Sequence, residues 1–119
     1  SDIVSLHIPL TAETAQLINS ERIRQMKPGA VLINTARGAL VDEVALHAAL
    51  VEGRLLAAGL DVLAEEPTPT DNPLLGLDNV VVAPHLAWLT PETFERSIAV
   101  AVENVKRLDA GELLLHRVA

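Results

Sequence analysis

Arg37, Glu66 and His85 are the side chains best suited to anion binding and proton transfer, and each follows a short apolar run. An arginine is charged at every accessible pH, and its planar fork can grip a carboxylate through two parallel hydrogen bonds. Gly38, directly behind Arg37, lets backbone or ligand approach closely. His85 is the residue of this set whose ordinary pKa suits proton exchange near neutrality. A carboxylate beside it would favour the imidazolium and fix the ring's orientation. Both Glu65 and Glu66, ahead of Pro67, are candidates for that role. Asp61 closes an apolar run, where a charge needs a partner or a ligand. A cationic clamp, a histidine acid and a partner carboxylate suit the reduction of a carbonyl that sits next to a carboxylate. With no cysteine in the chain, thiolate nucleophiles, disulfides and thiolate metal sites are excluded. No serine on this rim occupies a nucleophile-elbow motif. His85 has no second histidine at ligand spacing, so no metal is expected.

These residues need elements to hold them. Four runs read as strands: Ile3 to Ile8, Ala30 to Thr35, Leu56 to Leu63 and Val80 to Ala83. They are continuous rather than alternating, which predicts burial on both faces of a parallel sheet. Helical signals separate them. Ser20 is placed to cap a short helix through Met26, which Lys27-Pro28-Gly29 ends. Asp42 is a plausible N-cap for a second helix, with Gly53 where a left-handed C-terminal residue belongs. A proline-rich loop runs from Glu65 to about Asn79. Thr90-Pro91-Glu92 opens the last helix as cap, first-turn proline and acid near the positive end of the dipole. Its Phe94, Ile98, Ala101, Val105 and Leu108 recur at helical spacing and predict a single buried stripe. The order β-α-β-α-β-loop-β-α predicts right-handed crossovers in a doubly wound, mostly parallel sheet of about four strands with flanking helices. Ligands bind such sheets outside the carboxyl ends of the strands, where Arg37, Asp61, Glu66 and His85 all fall.

Composition narrows the partners. The 119 residues carry a formal charge of −7, which argues against nucleic acid, and half of them are apolar, enough for a core of Leu, Val, Ile and Ala. The apolar runs are far shorter than a membrane span, and Ser1-Asp2 does not open a signal peptide, so a cytoplasmic protein is expected.

In order and spacing, Asn34-Thr35-Ala36-Arg37-Gly38, Val41-Asp42-Glu43, Gly59-Leu60-Asp61-Val62, Glu66-Pro67, Asn79-Val80 and Ala83-Pro84-His85-Leu86-Ala87-Trp88 resemble the D-isomer-specific 2-hydroxyacid dehydrogenases. The segment Ser1 to Thr11 does so too, and the resemblance covers nearly the whole chain. It implies an oxidoreductase that moves a hydride between NAD or NADP and C2 of a small 2-oxo or 2-hydroxy acid. It implies that Arg37 binds the carboxylate and carbonyl of the 2-oxo acid, and that His85 exchanges a proton with the carbonyl oxygen. It selects Glu66 rather than Glu65 as the carboxylate paired with that histidine. Asp61 would meet the nicotinamide end of the cofactor, which Ile8, Pro9, Thr35, Ala36, Arg37, His85 and Ala87 would also line. The resemblance is to the glycerate dehydrogenase, hydroxypyruvate or glyoxylate reductase type, and Trp88 points to a glycerate or hydroxypyruvate reductase. Leu63 stands where the family often has an aromatic residue.

The glycine-rich pyrophosphate loop, G-x-G-x-x-G, does not occur in the sequence. In the family it lies upstream of the matching segment, as does the acid that grips the ribose. Residues 1–119 are therefore expected to form the second half of an NAD(P)-binding Rossmann domain. The last helix, about 91–110, would return toward a separate substrate domain. On that expectation the chain is inactive alone, pairs with a missing N-terminal half, and belongs to a homo-oligomer. A dinucleotide-sensing corepressor of the same superfamily, or a non-catalytic assembly piece, is the alternative reading.

Overall fold

A computed structural model describes residues 1–117. The chain divides into two units, Ser1–Ala87 and a second from Trp88 onward. The first unit is built on four parallel strands, β1 (Ile3–Leu6), β2 (Ala30–Asn34), β3 (Leu55–Leu60) and β4 (Val80–Val82). Their order in the sheet follows the sequence, β1-β2-β3-β4. Two helices, α1 (Ser20–Gln25) and α2 (Glu43–Val51), connect the first three strands, and a 3-10 turn at Pro73–Gly76 precedes β4.

Each strand is shorter than its apolar run because the ladder stops where the chain turns outward to form the rim. β1 ends at Leu6 rather than Ile8, and β3 at Leu60 rather than Leu63. The predicted two-sided burial is not what the sheet shows. Leu6, Ala30, Leu32, Asn34, Ala58 and Leu60 are buried on one face, whereas Ile3 is 63% exposed and Val81 73% exposed on the other. Successive connections all step in one direction. Right-handed crossovers, the rule for parallel strands, then put α1, α2 and the 3-10 turn on a single face. On that face Ile23, Leu46, Leu50 and Leu74 close over the strands as a continuous aliphatic core.

The helices begin and end for local reasons. Asp42 caps α2 as expected, its Oδ1 accepting from the amides of Val44 and Ala45 at 3.1 Å each. Gly53 follows with φ of 69°, the left-handed conformation in which a side chain would be strained. The cap of α1 is Asn19 rather than Ser20, with its Oδ1 accepting from the Arg22 amide at 3.1 Å. The carboxyl end of α1 is closed from a distance, since the Arg54 guanidinium donates to the carbonyls of Arg24 (2.8 Å) and Met26.

The second unit holds α3 (Pro91–Asp109), capped by Thr90 as the sequence predicts. Its Oγ1 accepts from the Thr93 amide at 3.2 Å. The stripe predicted to be buried is exposed: no residue of α3 is buried, and Val105 and Leu108 are 69% and 70% accessible. An apolar stripe needs a facing element, and among the described residues of this unit the helix meets only its own short tail. Asn104 fixes that tail, accepting from the Leu115 amide at 2.7 Å and donating to the Leu115 carbonyl at 3.3 Å.

Candidate active site

Three loops leave the carboxyl ends of β2, β3 and β4 and bring Arg37, Glu66 and His85 to one pocket of about 270 Å³, walled also by Leu10, Gly38 and Leu63. The first loop is shaped by Asn34, the last residue of β2, which is almost wholly buried. Its Oδ1 accepts from the Ala36 amide at 3.1 Å, and its Nδ2 donates to the Arg37 carbonyl at 2.9 Å. That pair of bonds folds Thr35-Ala36-Arg37 into a tight turn and leaves the Arg37 side chain exposed. One guanidinium nitrogen, Nη1, donates to the Ala36 carbonyl at 2.6 Å.

Gly38 then makes the closest approach of the unit's glycines. A Cβ built there would lie 2.0 Å from the Leu63 carbonyl carbon and 2.4 Å from the Ala64 nitrogen. The Arg37 loop and the Glu66 loop thus meet backbone to backbone, with no room for a side chain.

Glu66 and His85 are joined by a 2.9 Å bond between Oε2 and Nδ1. The other carboxylate oxygen, Oε1, accepts from the Leu63 amide at 3.1 Å. The hydrogen bond from His85 holds the Glu66 carboxyl below its ordinary range, helped by the Leu63 amide and by the imidazole's charge. Partial burial and the nearby Asp61 act the other way. A lowered native pKa means that the folded chain binds fewer protons here than the unfolded one. The pair therefore contributes stability above pH 4.5, the ordinary value, and loses it as pH falls through the lowered midpoint. Titrating the Glu66 carboxyl by carbon-13 NMR should place its midpoint below 4.5 in the wild type, and His85→Gln should raise it.

Asp61 occupies the position the sequence marks as needing a partner, and its partners are backbone amides. Its two carboxylate oxygens accept from Leu86 (2.8 Å) and Ala87 (2.9 Å), while its carbonyl accepts from the His85 amide at 2.9 Å. His85 itself has φ of 56°, in the left-handed region that costs a non-glycine residue about 1 kcal/mol or more. The three bonds to Asp61 hold the loop in that conformation and so aim the imidazole at Glu66.

Two clefts flank this pocket along the same rim. One, of about 610 Å³, is lined by His7, Ile8, Pro9, Leu10, Thr35, Ala36 and Arg37. The other, of about 380 Å³, lies at the ends of β2, β3 and β4 and takes in Thr35, Gly59, Asp61 and Ala87. The residues expected to line a dinucleotide therefore fall into these two clefts, which share Thr35, while His85 lies with Arg37 and Glu66 instead. The fit to a nicotinamide dinucleotide is good in kind. The rim offers a long groove whose floor is small at Gly59 and apolar at Val81 and Ala83, which suits a flat ring. Among the described residues no group of acidic and histidine side chains is arranged to hold a metal ion.

Residues 1–87 match the family model described as D-isomer specific 2-hydroxyacid dehydrogenase, NAD binding domain. The chain is 50% identical to a glyoxylate reductase of Korarchaeum cryptofilum over 113 residues, 95% of this chain and 34% of that protein. It is equally similar to glyoxylate/hydroxypyruvate reductase B of Pectobacterium atrosepticum, with 95% of this chain and 35% of that protein aligned. Among solved structures, D-lactate dehydrogenase with NAD+ from Lactobacillus jensenii superposes with a TM-score of 0.92 at 37% identity. That match covers all of this chain and 40% of the other. A D-isomer specific 2-hydroxyacid dehydrogenase from Xanthobacter autotrophicus Py2, in complex with NADPH and MES, superposes at 0.80 with 47% identity, covering all of this chain and 48% of the other. The chain belongs to the D-isomer specific 2-hydroxyacid dehydrogenase family, through its NAD binding domain. It spans about a third of the length of the curated relatives it matches.

That Arg37, Glu66 and His85 would share one rim was expected from the sequence. The turn-forming role of Asn34 was not, although a polar residue ending an apolar strand just ahead of Arg-Gly is a usable signal.

Proposed function

We propose that the protein carrying this chain is an NAD(P)-dependent reductase of small 2-oxo acids, of the glyoxylate or hydroxypyruvate kind. Its working state in this reading is a homo-oligomer in the cytoplasm. The observation that carries the reading is the convergence of Arg37, Glu66 and His85 on one pocket, with Glu66 bonded to His85. When bound, the nicotinamide supplies a hydride to C2 of the substrate. Arg37 holds the carboxylate and carbonyl oxygens through its guanidinium fork. His85, fixed through Nδ1 by Glu66, gives a proton from Nε2 to the carbonyl oxygen as it gains charge, and takes one back in the oxidative direction. Ile8, Pro9, Thr35, Ala36, Asp61 and Ala87 line the cofactor. The relatives named above are oxidoreductases, which favours this reading over a corepressor.

The test is steady-state reduction of glyoxylate and hydroxypyruvate with NADH and with NADPH, in the wild type and in Arg37→Ala. Losing a charge-assisted pair of about 1.5–3 kcal/mol should lower kcat/KM for the 2-oxo acid by about 10- to 100-fold. An Arg37→Ala variant as active as the wild type would refute the role of that residue. A wild type inert toward every 2-oxo acid would refute the reading itself.

A further inference from the structure

Glu43 is the first residue of α2, and an acid there needs no special explanation, because it faces the positive end of the helix dipole. Its carboxylate is nonetheless engaged elsewhere. Oε1 accepts from the Ala64 amide at 2.6 Å, and Oε2 accepts from Nδ2 of Asn72 at 3.2 Å. Those partners bracket the loop that carries Glu66. Asn72 in turn caps the 3-10 turn, its Oδ1 accepting from the amide of the fully buried Leu74 at 3.0 Å. The far end of the loop is thus tied to the core.

The near end matters more. The peptide between Leu63 and Ala64 is fixed on one side by the close approach of Gly38 and on another by Glu43. Leu63, whose carbonyl belongs to that peptide, gives its own amide to Glu66 Oε1. Glu66 then meets His85 through its other oxygen. We propose that Glu43 is a positioning residue for the Glu66–His85 pair, acting through the Leu63–Ala64 peptide. The proposal rests on the enzymatic reading above only for its catalytic consequence. The geometric claim can be measured without turnover.

Two conservative variants of the full chain separate reach from charge. Glu43→Asp keeps the negative charge at the helix start but is one methylene too short to meet the Ala64 amide. Glu43→Gln keeps the length and an oxygen to accept from the Ala64 amide, but loses the charge and the second acceptor that faces Asn72. If position is what matters, Glu43→Asp raises the Glu66 carboxyl midpoint toward 4.5 and speeds exchange of the Ala64 amide at least about tenfold, a 1.4 kcal/mol loss of local protection. Glu43→Gln then keeps both close to wild type. In the active protein Glu43→Asp should also lower kcat on the order of tenfold to a hundredfold at unchanged cofactor KM, as displaced catalytic groups do. A Glu43→Asp chain with the wild-type Glu66 midpoint and Ala64 protection would overturn the proposal. So would a Glu43→Gln chain shifted as far as Glu43→Asp, since charge and not reach would then be responsible. If the wild type proves inert toward 2-oxo acids, the enzymatic reading fails while the titration and exchange results still decide the role of Glu43.

Discussion

Replacing His85 by Gln should cut kcat for 2-oxo-acid reduction by about 10² to 10⁴, the range for a lost general acid. Glutamine is close to histidine in size and can still offer a polar atom to Glu66, so the loop held by Asp61 should keep its shape. What it cannot do is release a proton near neutrality. The loss should therefore appear in kcat, with little change in the KM of either cofactor or substrate. Single-turnover measurement of nicotinamide absorbance isolates the chemical step. A variant retaining more than a tenth of wild-type kcat would mean that another group delivers the proton.

Gly38→Ala should be the most damaging substitution that alters no functional group. The added methyl would lie 2.0 Å from the Leu63 carbonyl carbon and 2.1 Å from its oxygen, and both neighbours are backbone atoms that cannot swing aside. Either the Arg37 turn or the Leu63–Ala64 peptide has to move. Overpacking of this kind costs about 1–3 kcal/mol and occasionally more, so a clear fall in the thermal midpoint is expected. The functional effect should exceed that of a stability loss alone, because Leu63, which would have to shift, gives its own amide to Glu66. Measured well below its melting temperature, the variant should still show depressed kcat and a raised Glu66 midpoint. A Gly38→Ala chain with wild-type stability and titration would show that the two loops are not in contact as described.

The convergence of Arg37, Glu66 and His85 on one rim was legible in the sequence because parallel sheets put their loops' polar residues at strand ends, and the strands are marked by composition. Helix α2 was legible because both of its ends carry local markers, Asp42 and Gly53. The first helix was placed one residue off at its cap, since Asn19 and Ser20 are adjacent good caps and only the reach to the Arg22 amide distinguishes them. Burial was the weakest inference. A continuous apolar strand looks the same whether one face or both are covered, and which faces are covered depends on where the connections cross. The stripe on α3 failed likewise, since periodicity identifies an apolar face but not the element that meets it. Glu43 was unreadable for a third reason. Its bond to Ala64 spans 21 residues, and nothing near it in the sequence distinguishes that reach from an ordinary helix start.

The sequential strand order carries a consequence for how the chain acquires its shape. Every ladder joins strands separated by a single connecting segment, so no strand has to wait for a distant partner. Loop-closure entropy is paid in similar modest steps. On a ribosome, β1 and β2 can pair, α1 and α2 can settle and β3 can add before β4 has emerged, as vectorial synthesis favours. His85, just past β4, arrives after Arg37 and Glu66 already have their scaffold. The imidazole is the last of the three side chains to be delivered, onto a surface prepared to receive it.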